Sequence, residues 1–475
     1  MTDPVEKSSD DGSGTTQPEI FERPKGFRGC FSHPATQARN LLLLFVALLG
    51  FVCFMCPGLY NSLTGLGGGG QVDETTGANA NVALYSTFSV SVNNKLGPRL
   101  TLQLGSLGYG LYIAGFLVLN IHPHAKAFVI VAGATVPFHS IRIILGLCAG
   151  LLWTAQGSLM LAYPTEGDKA KFIAIFWAIF NLGGVVGAAV AFGTNFHTTN
   201  GTYIAFLILT IIGACIPLLM ANPRNVIRTD GSKLPIMRNP SWKVELMGLY
   251  VALKTDPMIV LLFPMFFASN WFYIWQFNEF NGALFNIRTR SLNSMLYWSA
   301  QIVGSVLMAV VLDRKNVSRR TRAYAGWFIV FVMVFVVHGW AYHYQREYTR
   351  ASPIVIDQTL RIDFTDKRYV GRVFLYIFFG LLDAMWQTLV YWMMGAMSND
   401  PRKLAYFAGF CGFMNMFAST WALCAAGLIF ALPMIHLRVK DITALEDETV
   451  ARMDEDGHVL PTDVAAAKIA EKTRA

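Results

Sequence analysis

The chain has 475 residues, of which 54% are hydrophobic and only 14% are charged, and its formal net charge at pH 7 is +8. This composition is too apolar for an ordinary soluble protein and favours a membrane protein. The positive residues fall in loops between apolar runs. We therefore interpret them as the cytoplasmic bias of membrane loops, which excludes a nucleic-acid-binding surface.

The sequence carries no recognisable catalytic or metal-binding pattern. Cys53 and Cys56 have C-x-x-C spacing, but they lie inside an apolar run and no second pair follows. The four glycines at 67–70 are not followed by Lys-Ser or Lys-Thr, so they are not a phosphate-binding loop. We predict that the protein is not an enzyme and binds no cofactor or metal.

The chain opens with a polar segment, 1–39, that we predict to be a disordered cytoplasmic tail. A membrane-spanning helix needs about 20 apolar residues. The apolar runs that meet this length are 40–60, 99–120, 171–192, 203–221, 258–276, 295–312, 323–343 and 371–396. Runs 127–162 and 404–436 are too long for one simple span, and run 82–92 is too short. The predicted fold is all-α and polytopic.

A basic loop divides these runs into two sets. It covers 222–257 and carries the cations Arg224, Arg228, Lys233, Arg238, Lys243 and Lys254. Short loops rich in Lys and Arg stay in the cytoplasm. We therefore predict an N-terminal bundle at 40–221, a cytoplasmic central loop, a C-terminal bundle at 258–436 and a polar tail at 437–475.

The remaining loops fix the predicted sides. Segments 61–81 and 193–202 contain no Lys or Arg, so we place both outside. Loop 344–370 must also lie outside although it is basic, because longer loops cross despite their charge. Asn200-Gly201-Thr202 is a glycosylation sequon on that side, which makes Asn200 a candidate for modification.

Two predicted cytoplasmic loops occupy matching positions in the two halves. The first contains Lys95 and Arg99, and the second contains Asp313 and Arg314. Both resemble the loop motif of the major facilitator superfamily, in which charged residues at helix ends latch the two halves together. The alternative is a pair of ordinary positively charged loops. A second match between the halves aligns 146–153 with 379–386, and Gly150 and Asp383 each precede a Trp by three residues.

Longer strings identify a family. They read CPGLYN at 56–61, LWTAQG at 152–157 and LFPMFFASNW at 262–271. These strings resemble fungal uncoordinated-93-like proteins of the major facilitator superfamily, over roughly 40–440. The resemblance implies a twelve-span fold. It also implies two kinds of activity, because animal members include a potassium-channel regulatory subunit and a receptor-trafficking chaperone.

The sequence departs from the family pattern in three places. The second span is cut short after 84–92, the segment Thr135–Ile144 is inserted in the fourth span, and spans eleven and twelve are fused across Phe410–Met416. An irregular gene model or splice form is the hypothesis that accounts for all three.

Asp383 is the leading candidate for a functional residue, because it is an acidic group inside an apolar span. Further candidates for solute or proton binding are Trp386, Gln387, Trp153, Gln156 and Asn270. The alternative for these residues is hydrogen bonding between packed helices. Tyr297, Trp298 and Gln301 open the predicted eighth span, where we expect an interfacial aromatic belt.

Two functions remain open at this stage. The repeat, the paired loops and the buried carboxylate favour a transporter of a small solute, with proton coupling through Asp383. The family resemblance equally allows a non-transporting regulatory subunit or trafficking partner of another membrane protein. In either case the protein is an integral, multi-pass membrane protein whose first partner is the lipid bilayer.

Overall fold

A computed structural model of the chain describes residues 34–65, 96–122, 143–162, 169–193, 200–220, 254, 257–269, 272–349, 352–397, 417–439, 452–453 and 459–460. The N-terminal tail before residue 34, most of the central loop and the short run at 82–92 lie outside these residues. So do 135–142 and 398–416. The predicted domain boundaries, the truncated second span, the insertion and the fusion of spans eleven and twelve therefore stay predictions.

The first half is built from helices. They are α1 (Pro34–Cys53), a π-helical turn (Phe54–Gly58), α2 (Leu59–Gly65), α3 (Pro98–Ile121), α4 (Ile143–Ala162), α5 (Lys169–Gly193) and α6 (Asn200–Leu219). The first three of these elements run on without a break as one long span.

The second half follows the basic loop. Its elements are a 3-10 turn (Pro257–Leu262), α7 (Phe263–Ala268), α8 (Phe272–Ile274), a π-helix (Trp275–Gly282), α9 (Ile287–Leu312), α10 (Arg319–Gln345), α11 (Pro353–Ile356), a 3-10 turn (Gln358–Leu360), α12 (Tyr369–Met397) and α13 (Phe417–Arg438). Strands β1 (Arg452–Met453) and β2 (Val459–Leu460) pair antiparallel in the C-terminal tail.

Eight helices in the described part of the chain are long and apolar enough to cross a membrane. Many of their large apolar side chains are exposed on the outside of the protein, as lipid contact requires. The prediction of a helical, multi-pass membrane protein is confirmed.

In its described residues, the run predicted as a continuous span at 258–276 is not a uniform α-helix, and we call it the broken seventh span. It passes from a 3-10 turn through two short α-helices into the π-helix Trp275–Gly282, whose sequence is WQFNEFNG. Hydropathy misses such a break because the apolar residues remain apolar whatever the backbone geometry. Irregular helix inside a membrane occurs where protein surrounds it, and it is frequent at functional sites.

The helix predicted to begin at 295 begins eight residues earlier, at Ile287. The side chain of Asn286 accepts a hydrogen bond from the backbone N–H of Thr289 at 2.9 Å, which caps the helix start. Tyr297 and Trp298 therefore lie about 15 Å inside the helix rather than at its end. Both are buried, so the prediction of an interfacial belt is wrong for them.

Helix α5 lies at the centre of the described bundle and packs against α1, α2 and α9. Glycines make these approaches possible. A Cβ at Gly183 would lie 2.3 Å from the carbonyl oxygen of Phe54, and one at Gly184 would lie 2.8 Å from the ring of Trp298. The π-helical turn of the first span thus sits directly on the backbone of α5, which is the kind of close contact that small residues permit in membranes.

The two halves touch at both ends of the bundle. We call the end that the sequence assigns to the cytoplasm the inner end, and the opposite one the outer end. At the outer end the carbonyl of Gly65 accepts hydrogen bonds from Asn281 Nδ2 at 3.2 Å and from Ser294 Oγ at 2.9 Å. At the inner end Lys169 Nζ donates to the carbonyl of Gly395 at 2.9 Å. The structure is therefore closed at both of these points.

Candidate functional site

The carboxylate of Asp383 lies midway along α12, about 21 Å from either end of the helix. Only 1% of the residue is exposed. An ionised carboxylate at this depth is costly unless its environment compensates it. Its neighbours therefore decide what the group can do.

Uncharged donors hold this carboxylate, and Gln387, one turn further along α12, adds to the three named next. Tyr273 donates its hydroxyl to Oδ1 at 3.1 Å, Tyr297 donates to Oδ2 at 3.0 Å, and Gln301 Nε2 donates to Oδ2. The hydroxyl of Tyr297 also lies 2.7 Å from Gln276 Oε1. Because Tyr297 has a single proton, it can serve Asp383 or Gln276 at one time, and the choice depends on the charge of Asp383.

The donors reach the site because of the helix geometry described above. Tyr297 and Gln301 are four residues apart and so occupy one face of α9. Tyr273 comes from the short helix α8 and Gln276 from the π-helix that follows it. The broken seventh span thus supplies two of the polar groups around the carboxylate.

Gln301 connects the site to the other half of the protein. Its Oε1 accepts a hydrogen bond from Trp177 Nε1 of α5 at 3.0 Å, while its Nε2 donates to Asp383. The amide is therefore oriented by a partner on each side. A single side chain links a carboxylate in the second half to an indole in the first half.

Aromatic residues from the first half face this point. Trp153 and Phe180 pack edge to face with their centroids 5.4 Å apart, and Trp177 lies 6.1 Å from the ring of Tyr391 on α12. The hydroxyl of Tyr391 donates to Gln156 Oε1 at 3.4 Å. The structure thus brings Trp153 and Gln156 to the same interface as Asp383. Their roles in binding stay a prediction.

Trp386 and Gln387 both contact the end of α7, and Gln387 also lies within hydrogen-bond reach of Asp383. Trp386 Nε1 donates to Ser269 Oγ at 3.0 Å, and Gln387 Nε2 donates to the carbonyl of Ser269 at 2.6 Å. Both side chains therefore hold the end of α7 against α12, which suits a positioning role for the broken span. The remaining binding candidate, Asn270, lies outside the described residues.

The predicted latch residues occupy the inner end. Asp313 accepts hydrogen bonds from the backbone N–H groups of Ala170 at 3.1 Å and Lys171 at 2.6 Å, which lie in the first turn of α5 in the other half. Carboxylates stabilise helix N-termini in this way. Arg319 Nη2 joins Lys169 at the carbonyl of Gly395, at 3.4 Å.

The other predicted latch residues do not share one environment. Arg99 donates to the carbonyls of Pro217 at 3.2 Å and Leu218 at 2.7 Å, so it closes the last turn of α6 within the first half. Arg314 is exposed, and Lys95 lies outside the described residues. The latch function of all four residues stays a prediction, as does glycosylation of Asn200, the exposed first residue of α6.

The loop between α10 and α12 packs on the outer end of the bundle. Ile362 N donates to the carbonyl of Leu284 at 2.8 Å, and Asn286 N donates to the carbonyl of Ile362 at 3.2 Å, which pairs the loop with the start of α9. The guanidinium of Arg288 lies 4.1 Å from the ring centroid of Phe364. That ring in turn lies 6.4 Å from Phe192 of α5. The loop therefore reaches both halves.

Asp363 carries the polar part of this attachment. Partial burial works against its ionisation, but a hydrogen bond from Asn286 Nδ2 at 2.7 Å, bonds from Thr365 and the charge of Arg288 hold its pKa below the ordinary value. Asp363 is therefore ionised at neutral pH and is stabilised in the folded loop.

Gln301, Tyr273, Tyr297 and Trp177 are site residues that were not predicted from the sequence. A signal was present for two of them, because buried polar residues recur at 290, 293, 294, 297 and 301 with the spacing of one helix face. Tyr273 could not be found in this way because its neighbours follow no helical period.

Comparison with known proteins adds the family. The family model described as ion channel regulatory protein UNC-93 matches residues 70–445 of this chain. The chain belongs to the UNC-93 family. It is 42% identical over 448 residues to an UNC93-like protein of Schizosaccharomyces pombe, with 87% of each chain covered. It is 40% identical over 385 residues to UNC93-like protein 1 of Arabidopsis thaliana, covering 78% of this chain and 81% of the relative.

Solved structures show the same fold. The proton:xylose symporter XylE superposes with a TM-score of 0.54 at 13% identity, covering 87% of this chain and 99% of that one. The Escherichia coli fucose:proton symporter FucP gives a TM-score of 0.52 at 10% identity, with 85% and 98% covered. The UNC-93 family member described here therefore has the major facilitator fold. At these identities the likeness concerns the fold alone.

Proposed function

We propose that this UNC-93 family protein is a secondary transporter that moves a small solute by alternating access, with Asp383 binding the coupled proton. The observation that carries the proposal is the buried carboxylate of Asp383, which Gln301 links to Trp177 across the two halves. The major facilitator fold supplies the two halves that such a mechanism needs.

Protonation of Asp383 changes what its neighbours can do. An ionised carboxylate accepts hydrogen bonds from Tyr273, Tyr297 and Gln301 together, whereas a protonated one loses an acceptor position and gains a donor. Gln301 is then held less firmly, and its bond to Trp177 of the first half weakens with it. A proton on Asp383 thus biases the contact between the halves, as coupling requires.

Protonation of Asp383 can act on the contacts that join the two halves at the ends of the bundle. Hydrogen bonds at Gly65 tie the halves at the outer end, and those at Gly395 and Asp313 tie them at the inner end. Alternating access opens one set while the other stays closed. Each set consists of a few bonds worth about 1–2 kcal/mol apiece, which is small enough to be exchanged during a transport cycle.

The test uses purified protein in liposomes that enclose a pH-sensitive dye. A panel of amines, sugars and carboxylates is added outside, and solute-dependent proton movement is recorded. We expect one class to move protons with the native protein and not with Asp383→Asn. Asp357→Asn removes an equal charge from an exposed loop and serves as the matched control. Solute flux that Asp383→Asn leaves unchanged would remove the proton coupling.

A second candidate is a non-transporting regulatory subunit or trafficking partner. The family description names an ion channel regulatory protein. The complete set of neutral donors around Asp383 also suits a rigid, structural core. This candidate predicts a stable membrane partner in cross-linked native membranes and no flux of any solute in the liposomes. A partner recovered together with zero flux would replace the transporter proposal.

A further inference from the structure

We propose that the ligand of the site at Asp383 is a small organic cation with a hydrogen-bond acceptor, of the amino-alcohol class, which competes with the proton for this carboxylate. The inference rests on the proposed function and adds the substrate class and the direction of coupling. Its starting point is the charge balance around Asp383 and the aromatic surface opposite it.

The carboxylate has no cationic partner in hydrogen-bond contact among the described residues, since its donors are two hydroxyls and the side-chain amides of Gln301 and Gln387. The buried cations on neighbouring helices lie far away. Lys169 and Arg319 meet at Gly395, about 18 Å along α12, and Arg290 lies about 16 Å from Gln301 along α9. A buried charge needs a counter-charge or a proton. The missing positive charge is therefore one that a ligand can bring.

The titratable groups that face Asp383 cannot supply the positive counter-charge. Tyr273 and Tyr297 donate to it, the ring of Tyr376 lies 5.0 Å from that of Tyr297, and Cys424 of α13 lies within electrostatic range. None of these groups carries positive charge in any protonation state. In α5, the titratable side chains are Lys169 and Lys171, both at the inner end.

Among the described residues near Asp383, His338 of α10 is the group that can become positive. It packs edge to face on Phe379, which is one turn before Asp383, with the ring centroids 5.5 Å apart. Its Nδ1 lies 2.9 Å from the carbonyl of Val334 in its own helix. His338 therefore contacts a backbone carbonyl of its own helix and the ring of Phe379, and no contact with the carboxylate of Asp383 is among those of the described residues.

Aromatic rings supply the second element of a cation site. Trp177 and Tyr391 meet at the interface with their centroids 6.1 Å apart, and Trp153 packs beside them on Phe180. Trp153, Tyr273 and Tyr391 are only half-buried, so each retains surface that a ligand can cover. Faces of Trp and Tyr attract ammonium groups, most strongly where water is excluded. A carboxylate with aromatic faces opposite is a common arrangement for an organic cation.

Gln156 supplies the third element. The residue is fully buried, its Oε1 accepts from Tyr391, and its Nε2 is a buried donor with no acceptor among the described residues. A buried amide donor left unsatisfied is costly and rare. A ligand hydroxyl or carbonyl would satisfy it. The three elements together specify a cation that also carries an oxygen acceptor.

Competition at a single carboxylate determines the direction of coupling. Asp383 can hold a proton or balance a cation, and it cannot do both at full strength. A cation that binds from one side therefore displaces a proton, and a proton that binds from the other side releases the cation. Coupling of this kind exchanges the two ions in opposite directions across the membrane.

The test is equilibrium binding of choline to the purified protein in detergent, followed by calorimetry. It requires no transport, so it can fail while the transporter proposal stands, and the reverse also holds. The neutral isostere 3,3-dimethyl-1-butanol, sorbitol and acetate are measured in parallel. We expect choline to bind and the neutral isostere to bind about tenfold more weakly or worse.

Variants assign the binding to the site. Asp383→Asn should weaken choline binding about a hundredfold, because it removes the buried charge and keeps the shape. Trp177→Leu should weaken it about tenfold, and Asp357→Asn should leave it unchanged. In the native protein the apparent Kd for choline should rise about tenfold for each unit of pH below the range in which Asp383 is ionised.

Several results would overturn the proposal. They are an absence of choline binding, tighter binding of sorbitol or acetate than of choline, and choline affinity that is independent of pH. If Asp383→Asn does not fold, the pH dependence of the native protein and the Trp177→Leu variant still decide the question. Proton flux in the liposomes that a sugar alone elicits would support the transporter proposal and contradict the proposal of a cationic ligand.

Discussion

The carboxylate of Asp313 caps the helix that begins at Lys169, although the two residues belong to different halves of the protein. Its oxygens accept the backbone N–H groups of Ala170 and Lys171 at 3.1 and 2.6 Å. The positive end of the helix dipole and two otherwise unpaired donors are satisfied together. A contact of this type is a helix cap and a bond between the halves at once.

Replacing Asp313 should therefore loosen the inner end. We expect Asp313→Ala to lose about 1 kcal/mol of capping energy and to separate the halves at this end. The measurement is the distance between spin labels on Cys substituted for Lys171 and Lys315, in a background without the native cysteines. The distance distribution should shift to longer values.

The neighbouring Arg314 provides the control for that experiment. It lies in the same loop and is exposed, so Arg314→Ala should leave the label distance unchanged. An unchanged distance in Asp313→Ala would show that the cap does not hold the halves together.

Lys169 should matter more to stability than Lys171, although the two are on the same turn. Lys169 is 3% exposed and its Nζ donates to the carbonyl of Gly395, whereas Lys171 is exposed. A hydrogen bond from a charged group is worth about 2 kcal/mol. Lys169→Ala should therefore unfold at lower SDS concentration in mixed micelles, and Lys171→Ala should match the native protein. Equal midpoints for the two variants would refute the assignment.

Gly183→Ala should destabilise the first half. The added Cβ would lie 2.3 Å from the carbonyl oxygen of Phe54, which is backbone and cannot move aside cheaply. We expect a loss of about 1–3 kcal/mol, measured as a lower thermal midpoint. Gly339→Ala is the matched control, because no atom of the described residues lies within 4 Å of the position that its new Cβ would take. That change should raise stability slightly, since alanine favours helix.

Acid should release the outer loop through Asp363. Its pKa is lowered in the folded protein, so its contribution to stability is present above the ordinary value of 3.8 and is lost as the pH falls through the folded pKa. The readout is hydrogen exchange at the amide of Ile362, corrected for the intrinsic effect of pH. Asp363→Asn should give faster exchange at neutral pH.

Asp366 tests whether any carboxylate in the loop has this effect. Its hydrogen bonds run to Arg368, only two residues away, so it ties the loop to itself. Asp366→Asn should leave the exchange of Ile362 at the native rate. Protection of Ile362 that persists at low pH in the native protein would contradict the role assigned to Asp363.

Hydropathy was sufficient to locate most spans, because the bilayer requires long apolar helices whatever their partners are. It also singled out Asp383, since one acidic residue stands out in an apolar run. The partners of Asp383 were beyond this reasoning. Gln301 lies 82 residues away and Trp177 lies in the other half, and pairings of such range depend on how whole helices pack.

Local backbone geometry was the second limit. The predicted start of α9 is eight residues late because 286–293 is mostly polar, although four of its polar residues (Thr289, Arg290, Ser291 and Asn293) are buried in protein. The same reasoning failed at 258–276, where apolar composition concealed a break in the helix. Hydropathy measures preference for lipid, and a helix surrounded by protein need not follow it.

The broken seventh span has a consequence for biogenesis. Its eight-residue π-helical part holds Gln276, Asn278, Glu279 and Asn281, so this stretch enters lipid unfavourably on its own when the translocon offers it to the bilayer. Tyr297 and Asn293 of α9 then accompany it as hydrogen-bonding partners of Gln276 and Asn281. The segment is therefore expected to wait beside the translocon until α9 has been synthesised, and the two should insert as a hairpin.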